Sequence, residues 1–258
     1  MTCVYVLTGV LGLLVGSFLG AAIYRVPRGM SLLRPRSHCT HCGYTLRPID
    51  NVPVFSYLFL GGKCARCKAR ISPTYVLAEI FNAALWLLAV FLFFDKSVVY
   101  TLVCMAALSI FICIFFIDLA HMLIFDRFTV LIFILGIIAI FFDPSTKQWD
   151  HPIGALAAGG LFLGIYFLSL RILKKEGLGL GDVKLAFAAG LLLGWQKMLL
   201  ALLISSVSAS IVLLSLRRKR GDGADREYPF GPFLCAGFSL ALLCGDAVIS
   251  YYLSLFSL

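Results

Sequence analysis

The chain predicts an all-α polytopic membrane protein: eight transmembrane helices, with a cytoplasmic zinc-binding cysteine loop between helices 1 and 2. Three observations predict it. Mean hydropathy is +0.98, and only 14% of the 258 residues are charged, too few to coat a soluble globule of this size. The apolar segments are long and continuous, unlike the alternating strands of about ten residues that build a barrel. Nineteen of the 22 Lys and Arg residues fall in alternate connections between those segments.

The spans follow in order. Met1–Tyr24 carries no charged side chain, Thr74–Phe94 carries only Glu79, and Ser97–Ile117 is again uncharged. Then come Phe128–Phe142, Pro152–Leu170, Asp182–Gln196, Met198–Leu216 and Tyr228–Leu258, the last interrupted by Asp246. The runs at 128–142 and 182–196 are short: such a helix rises about 22 Å against a hydrocarbon core of about 30 Å. Their starts are expected inside the membrane plane, and each follows an aspartate-bearing loop, at 118–127 and 171–184.

The positive-inside rule puts the cation-rich connections in the cytoplasm and leaves Lys96, Lys147 and Lys197 outside, so both termini are expected to be extracytoplasmic. The first span has no basic residue before it and has Arg25 and Arg28 after it, the reverse of a cleavable signal peptide; it reads as a retained anchor. Orientation and anionic headgroups account for most of the net charge of +9. The Arg217–Arg220 run reads as a topology signal, and no nucleic-acid partner is expected.

Residues 25–73 form the largest segment outside the spans. They hold CTHC (Cys39, Cys42) and CARC (Cys64, Cys67), two turns that each aim two thiolates at one point. Together they make a four-sulfur site suited to one structural Zn²⁺ per chain, with His38 and His41 as alternative ligands. A closed site of this kind leaves no position for water, so the metal is scaffold. The reducing cytoplasm argues against disulfides. Cys3, Cys104, Cys113, Cys235 and Cys244 stand singly in apolar spans and read as small hydrophobes.

Near the inner face the ionisable residues are Asp118, His121, Asp126, Arg127, Glu176, Asp182 and Lys184. Asp118 ends one uncharged run and Asp182 opens a short one. Two carboxylates held close in a partly dry site share a proton, and such a pair hydrolyses peptides without a metal or a nucleophilic side chain. The absence of HExxH and GxSxG agrees. In GLGLGD, Gly179 and Gly181 are expected to adopt conformations closed to other residues and to let another segment pass close to Asp182. On spacing alone Asp182 serves equally well as a helix cap. Asp126, eight residues after Asp118, returns to the same helix face and is a rival partner. Lys184 is expected to snorkel to the headgroups.

GSFLGAAIYRVPRG (16–29), the cysteine module (36–72), FIDLAHMLIFD (116–126), GLGLGDVK (177–184) and YPFGPFL (228–234) together resemble the type IV prepilin peptidase family, in order along the whole chain. The departures are Gly20 where the family has Asn, Phe125 where it has Pro, and YVLAE at Tyr75–Glu79 where it has YPxVE. The resemblance implies an enzyme integral to the bacterial inner membrane. It would cut the basic leader from prepilins and pseudopilins, whose mature part begins with an apolar helix, and N-methylate the new terminus with S-adenosylmethionine. It implies Asp118 and Asp182 as catalysts and a six-helix peptidase region at 95–258. Residues 1–94, with the first two spans and the cysteine module, would be the methyltransferase region. Glu79, Asp50, Asn51 and Gly62 are the candidates for its site, and no Gly-rich dinucleotide fingerprint is present. A proton-coupled transporter would need mid-bilayer polar residues beyond Glu79 and Asp246, and a zinc sensor would not need the two aspartates.

Overall fold

Inside a bilayer no water serves the backbone amides, so each apolar run must close its hydrogen bonds within itself. The computed structural model does so with α-helix and describes residues 1–32, 34, 36–173, 178–220 and 228–255. It divides into two compact units, Met1–Phe91 and Leu92–Leu258. Glu176 and Gly177 of the aspartate-bearing loop lie outside the described residues.

The first unit holds α1 (Thr2–Arg25), 3₁₀ turns at Val26–Arg28 and Pro48–Asn51, α2 (Phe55–Phe59) and α3 (Pro73–Phe93), whose last two residues belong to the second unit. α1 and α3 meet backbone to backbone along a stripe of small residues, the geometry that lets helices associate within lipid. A Cβ on Gly12 would come 2.8 Å from the Ala83 Cα, and one on Gly16 would come 2.5 Å from the Glu79 Cα. The Asn82 amide donates to the Gly12 carbonyl at 2.8 Å. Gly20 continues the stripe: a Cβ there would meet the Tyr75 ring at 2.8 Å.

The second unit holds α4 (Val98–His121), α5 (Asp126–Phe142), α6 (Asp150–Leu173), α7 (Leu180–Arg220) and α8 (Gly231–Ser254). α4 starts where the Ser97 hydroxyl accepts the Tyr100 N–H and stops at Met122 in the left-handed region. α7 is two helices end to end. Gly194, at φ 75° and ψ 165°, breaks it where only glycine sits without strain. With the two limbs of α7 counted separately, eight long helices among the described residues correspond to the eight expected spans. The break falls at Gly194, ahead of the expected boundary at Lys197. Close packing of α6 on the first limb of α7 runs through Gly154 and Gly190, whose Cβ positions would each strike the other's backbone.

Lys197, expected in an outward connection, lies inside α7 and is buried. Its Nζ is 3.2 Å from Asp143 at the end of α5, 3.2 Å from Asp246 in α8 and 3.0 Å from the Ser145 hydroxyl. Asp246 therefore does not interrupt the last span; it faces a cation and α8 runs through it. The His151 ring donates from Nδ1 to the Leu191 carbonyl at 2.9 Å, an acceptor that the break at Gly194 leaves without its helical partner. Burial pushes the Asp143 carboxyl up, but the Lys197 ammonium and hydrogen bonds from Ser145 and Thr146 outweigh it and hold the group below the usual carboxylate range. That stabilisation is complete above an unfolded aspartate pKa of about 3.9 and is lost as pH falls through the lower folded value. Lys197→Met would leave Asp143 buried and uncompensated. Its expected cost is about 3–5 kcal/mol, read as a lowered melting temperature of the purified protein in detergent. A melt identical to wild type would show that the clasp is not needed for stability.

Candidate active site

Asp118 sits three residues before the end of α4, where the helix is still packed on its neighbours, and its side chain is buried. Its carboxylate accepts the backbone N–H of Gly231, the first residue of α8. A helix start has N–H groups with no intrahelical acceptor and a positive dipole end, so it suits a carboxylate. Only glycine allows this approach, because a Cβ on residue 231 would lie 2.5 Å from Asp118 Oδ2. Pro232 follows at a position where the missing N–H costs nothing, and Phe230 stacks on Phe162 of α6 with centroids 6.5 Å apart. The PFGP stretch thus presents an amide to Asp118. In the sequence PFGP is only a point of resemblance.

Asp182 lies in the first turn of α7, three residues after Gly179, and its carboxylate accepts the Gly179 N–H. This is the reciprocal half of a capping box, so the helix-cap reading holds for one oxygen. The other oxygen, Oδ1, is buried and has no hydrogen-bond partner among the described residues. The field of Asp118 reaches Asp182, and both carboxylates act on the fully buried Cys235 thiol one turn into α8. Two acids, each fixed by one amide at a helix start, therefore share a site. The glycines before Asp182 act by close approach alone, since neither has positive φ. A Cβ on Gly181 would press on Ile124 at 3.0 Å, and one on Gly179 would meet Asp182 Oδ2 at 3.3 Å.

Asp126 is elsewhere engaged. It forms an exposed ion pair with Lys184 at 2.7 Å, joining the start of α5 to α7. Lys184 is thus paired across helices, where a snorkelling side chain was expected. His121 and Arg127 are exposed, and Arg127 stacks over Phe125 at 5.5 Å, the position that departs from the family's proline.

In the first unit the two CxxC turns fold alike. Cys39 N–H donates to the Tyr44 carbonyl and Gly43 N–H to Cys39; Cys64 N–H donates to Ala69 and Lys68 N–H to Cys64. Each knuckle needs left-handed backbone after its second cysteine, supplied by Gly43 at φ 68° and, against preference, by Lys68 at φ 59°. Isolated bridges, His38 to Thr45 and Lys63 to Arg70, close both turns. The four Sγ atoms lie within 4.8 Å of one another, and Cys39 is 3.8 Å from Cys67. Sulfurs held about 2.3 Å from a tetrahedral ion stand about 3.8 Å apart, so the donor set fits a metal. All four are free thiols. N–H groups of Cys67 and Arg66 lower the Cys64 thiol to about 7 against burial, while, against the Ala69 N–H, burial and the neighbouring sulfurs push Cys67 up to about 11, so without a metal the cluster loses its protons unevenly.

Below the knuckles lies a cavity of about 400 Å³ between α1, α3 and the cysteine module. Asp50, Asn51 and Glu79 line it, three of the four candidates for the methyl-donor site; Gly62 is not among its lining residues. Gly62 serves a turn at φ 68° against the Tyr57 hydroxyl. Asp50 is held by the Tyr44 hydroxyl at 3.0 Å and by Arg47 at 3.1 Å, and the Arg47 contact keeps its carboxyl below the usual range. Glu79 Oε2 accepts the Val54 N–H at 2.7 Å and the carboxylate also accepts the Ser17 hydroxyl. Val54 and Ser17 left no signal in the sequence, since one is an ordinary loop valine and the other one of many serines.

Comparison with known proteins places both units. Residues 10–93 match the bacterial peptidase A24 N-terminal domain and residues 105–214 the type IV leader peptidase family. A prepilin leader peptidase/N-methyltransferase of Pseudomonas putida is 34% identical over 94% of this chain and 91% of its own length. Those of Dichelobacter nodosus, at 35% over 93% of the chain and 91% of the relative, and Legionella pneumophila, at 31% over 96% and 94%, are similar to it throughout. No solved structure matches the chain.

Proposed function

The chain belongs to the type IV leader peptidase family, and from that premise we propose that it removes the basic leader of prepilins and pseudopilins and N-methylates the residue left exposed. It is an integral protein of the bacterial inner membrane, with the dyad and cysteine module at the cytoplasmic face and both termini outside. The observation that carries the peptidase reading is the pair Asp118 and Asp182, fixed by amides at helix starts, with Asp182 Oδ1 buried and unclaimed among the described residues.

The pair works as a unit sharing one proton. One carboxylate takes a proton from a water as its oxygen adds to the scissile carbonyl carbon, and the other carboxyl gives its proton to the carbonyl oxygen. The resulting diol collapses: the first carboxyl protonates the leaving amine as the carbon–nitrogen bond breaks. The second recovers a proton from one diol hydroxyl, and the starting state is restored. The Gly231 and Gly179 amides keep the carboxyls aimed throughout, and the apolar helix of the substrate lies in the bilayer beside the spans.

Methyl transfer belongs to residues 1–94 and proteolysis to 95–258. The cysteine cluster holds one structural Zn²⁺. S-adenosylmethionine, which supplies an electrophilic methyl group when bound, is placed in the cavity lined by Asp50, Asn51 and Glu79, with Gly62 shaping the adjoining turn. The decisive experiment incubates purified protein in detergent with a prepilin peptide and S-adenosylmethionine and reads cleavage position and methyl gain by mass. An intact peptide would overturn the reading. Gly231→Ala should lower cleavage by about 10²-fold or more, because a methyl group there displaces the Asp118 carboxylate from its position. Cleavage at the wild-type rate would show that the α8 amide plays no part.

A further inference from the structure

We infer that Glu79 receives the new N-terminal ammonium of the cleaved substrate and takes its proton, preparing the nitrogen for methyl transfer. The inference rests on the methyltransferase reading and adds to it the residue that handles the amine.

An acid inside an apolar span is costly and marks a function unless a partner explains it. Glu79 lies six residues into α3, about 9 Å along the helix from its start at Pro73. It is only 8% exposed, yet its carboxylate lines the cavity. None of the ion pairs among the described residues includes it. Arg25, a cation lining the same cavity, points its guanidinium at the Ser31 and Leu32 carbonyls; Arg70 sits at the exposed rim. The second acid on the wall, Asp50, is bonded to Arg47 and Tyr44. Glu79 is therefore the carboxylate in the cavity that has no cation paired with it among the described residues.

Two features hold it in place at a cost. Gly16 brings the α1 backbone against the Glu79 Cα, which sets Ser17 beside its carboxylate. Val54 stands at φ 63° and ψ −52°, a conformation that a β-branched residue avoids, and in it gives its N–H to Oε2. Such strain costs on the order of 1–3 kcal/mol and persists where the surroundings demand a particular geometry. Here the geometry is a carboxylate aimed into a cavity between two membrane helices.

The ligand that answers this description is a positive charge on the end of an apolar segment. Leader removal makes one: an ammonium at the head of a hydrophobic helix. Brought to membrane depth, that ammonium needs a counter-charge, and Glu79 supplies it without a competing internal cation. An ammonium has no lone pair to attack with, so Glu79 must take one proton. The freed lone pair then forms the nitrogen–carbon bond to the methyl group of the sulfonium donor as the carbon–sulfur bond breaks and a neutral thioether leaves. The product is a secondary ammonium, and the Glu79 proton passes to water as it departs.

The test compares wild type, Glu79→Gln and Glu79→Asp. Without donor, wild type should bind the cleaved peptide with a free amine about tenfold more tightly than its N-acetylated form; Glu79→Gln should bind both alike and Glu79→Asp keep part of the preference. Glu79→Gln should still cut the leader, a reaction proposed for the aspartates of the second unit, while methyl transfer falls by about 10²-fold or more. Loss of donor binding with amine preference intact would make Glu79 a donor ligand and overturn the proposal, as would methylation at the wild-type rate. A wild-type protein that never methylates would sink the methyltransferase reading instead. The amine preference is measured without donor and separates the two failures.

Discussion

Asp118→Asn and Asp182→Asn should each lower leader cleavage by about 10²–10⁴-fold, and the double variant should fall little further than either alone, because the two carboxyls act as one unit. The fold should survive. Asparagine keeps an oxygen to accept the Gly231 or Gly179 amide, so the contacts that seat α8 and cap α7 remain, and only the ability to hold and pass a proton is gone. Asp126→Asn should cleave at close to the wild-type rate. Its carboxylate is exposed and paired with Lys184, an arrangement worth about 0–1 kcal/mol. The rate of wild type should be bell-shaped in pH, since only the singly protonated pair has both an acid and a base. A dead Asp126 variant beside an active Asp118 variant would misassign the pair, and a rate rising monotonically into alkali would remove the mechanism.

The contrast between these acids shows what sequence can and cannot reveal. The eight apolar runs, the doubled CxxC and the aspartates beside the third and fifth connections are local patterns, and helix length, thiolate spacing and charge position follow from them directly. What escaped is pairing over distance. Lys197 looked like an ordinary connecting lysine because Asp143 lies 54 residues before it. Asp246 looked like an interruption because its cation sits on another helix. Lys184 looked solitary for the same reason. The break in α7 was sought at the charged residue, whereas backbone geometry placed it at Gly194, where left-handed φ is free. The site divides the same way. Both carboxylates were legible as ionisable residues at helix ends, but the Gly231 amide that fixes one of them is a main-chain group and carries no signature. The strained Val54 is invisible until φ is known.

Stripping the cysteine module of metal should have the second large effect, and an uneven one. Each knuckle is closed by a single bridge and a few amide bonds, and one carries lysine in left-handed backbone. A segment of fewer than about 50 residues with so little core does not fold on burial alone, so the metal's binding energy is its folding energy, on the order of 10 kcal/mol. Purified protein should hold about one Zn²⁺ per chain. Cys64→Ser, prolonged chelation or mild acid should release it, acid because the thiolates must be deprotonated to bind. Proteolytic nicking should then appear within residues 36–72. His38, Cys39, Cys64 and Ala65 line the cavity, so methyl transfer should be lost together with the metal. Leader cleavage should outlast both, since Asp118 and Asp182, the proposed catalytic pair, lie in the second unit and the proposed mechanism uses no metal. If cleavage instead fell in step with zinc from the first minutes of chelation, the metal would belong to bond breaking. Four thiols found paired as disulfides would remove the site altogether, and with it the placement of this loop in the cytoplasm.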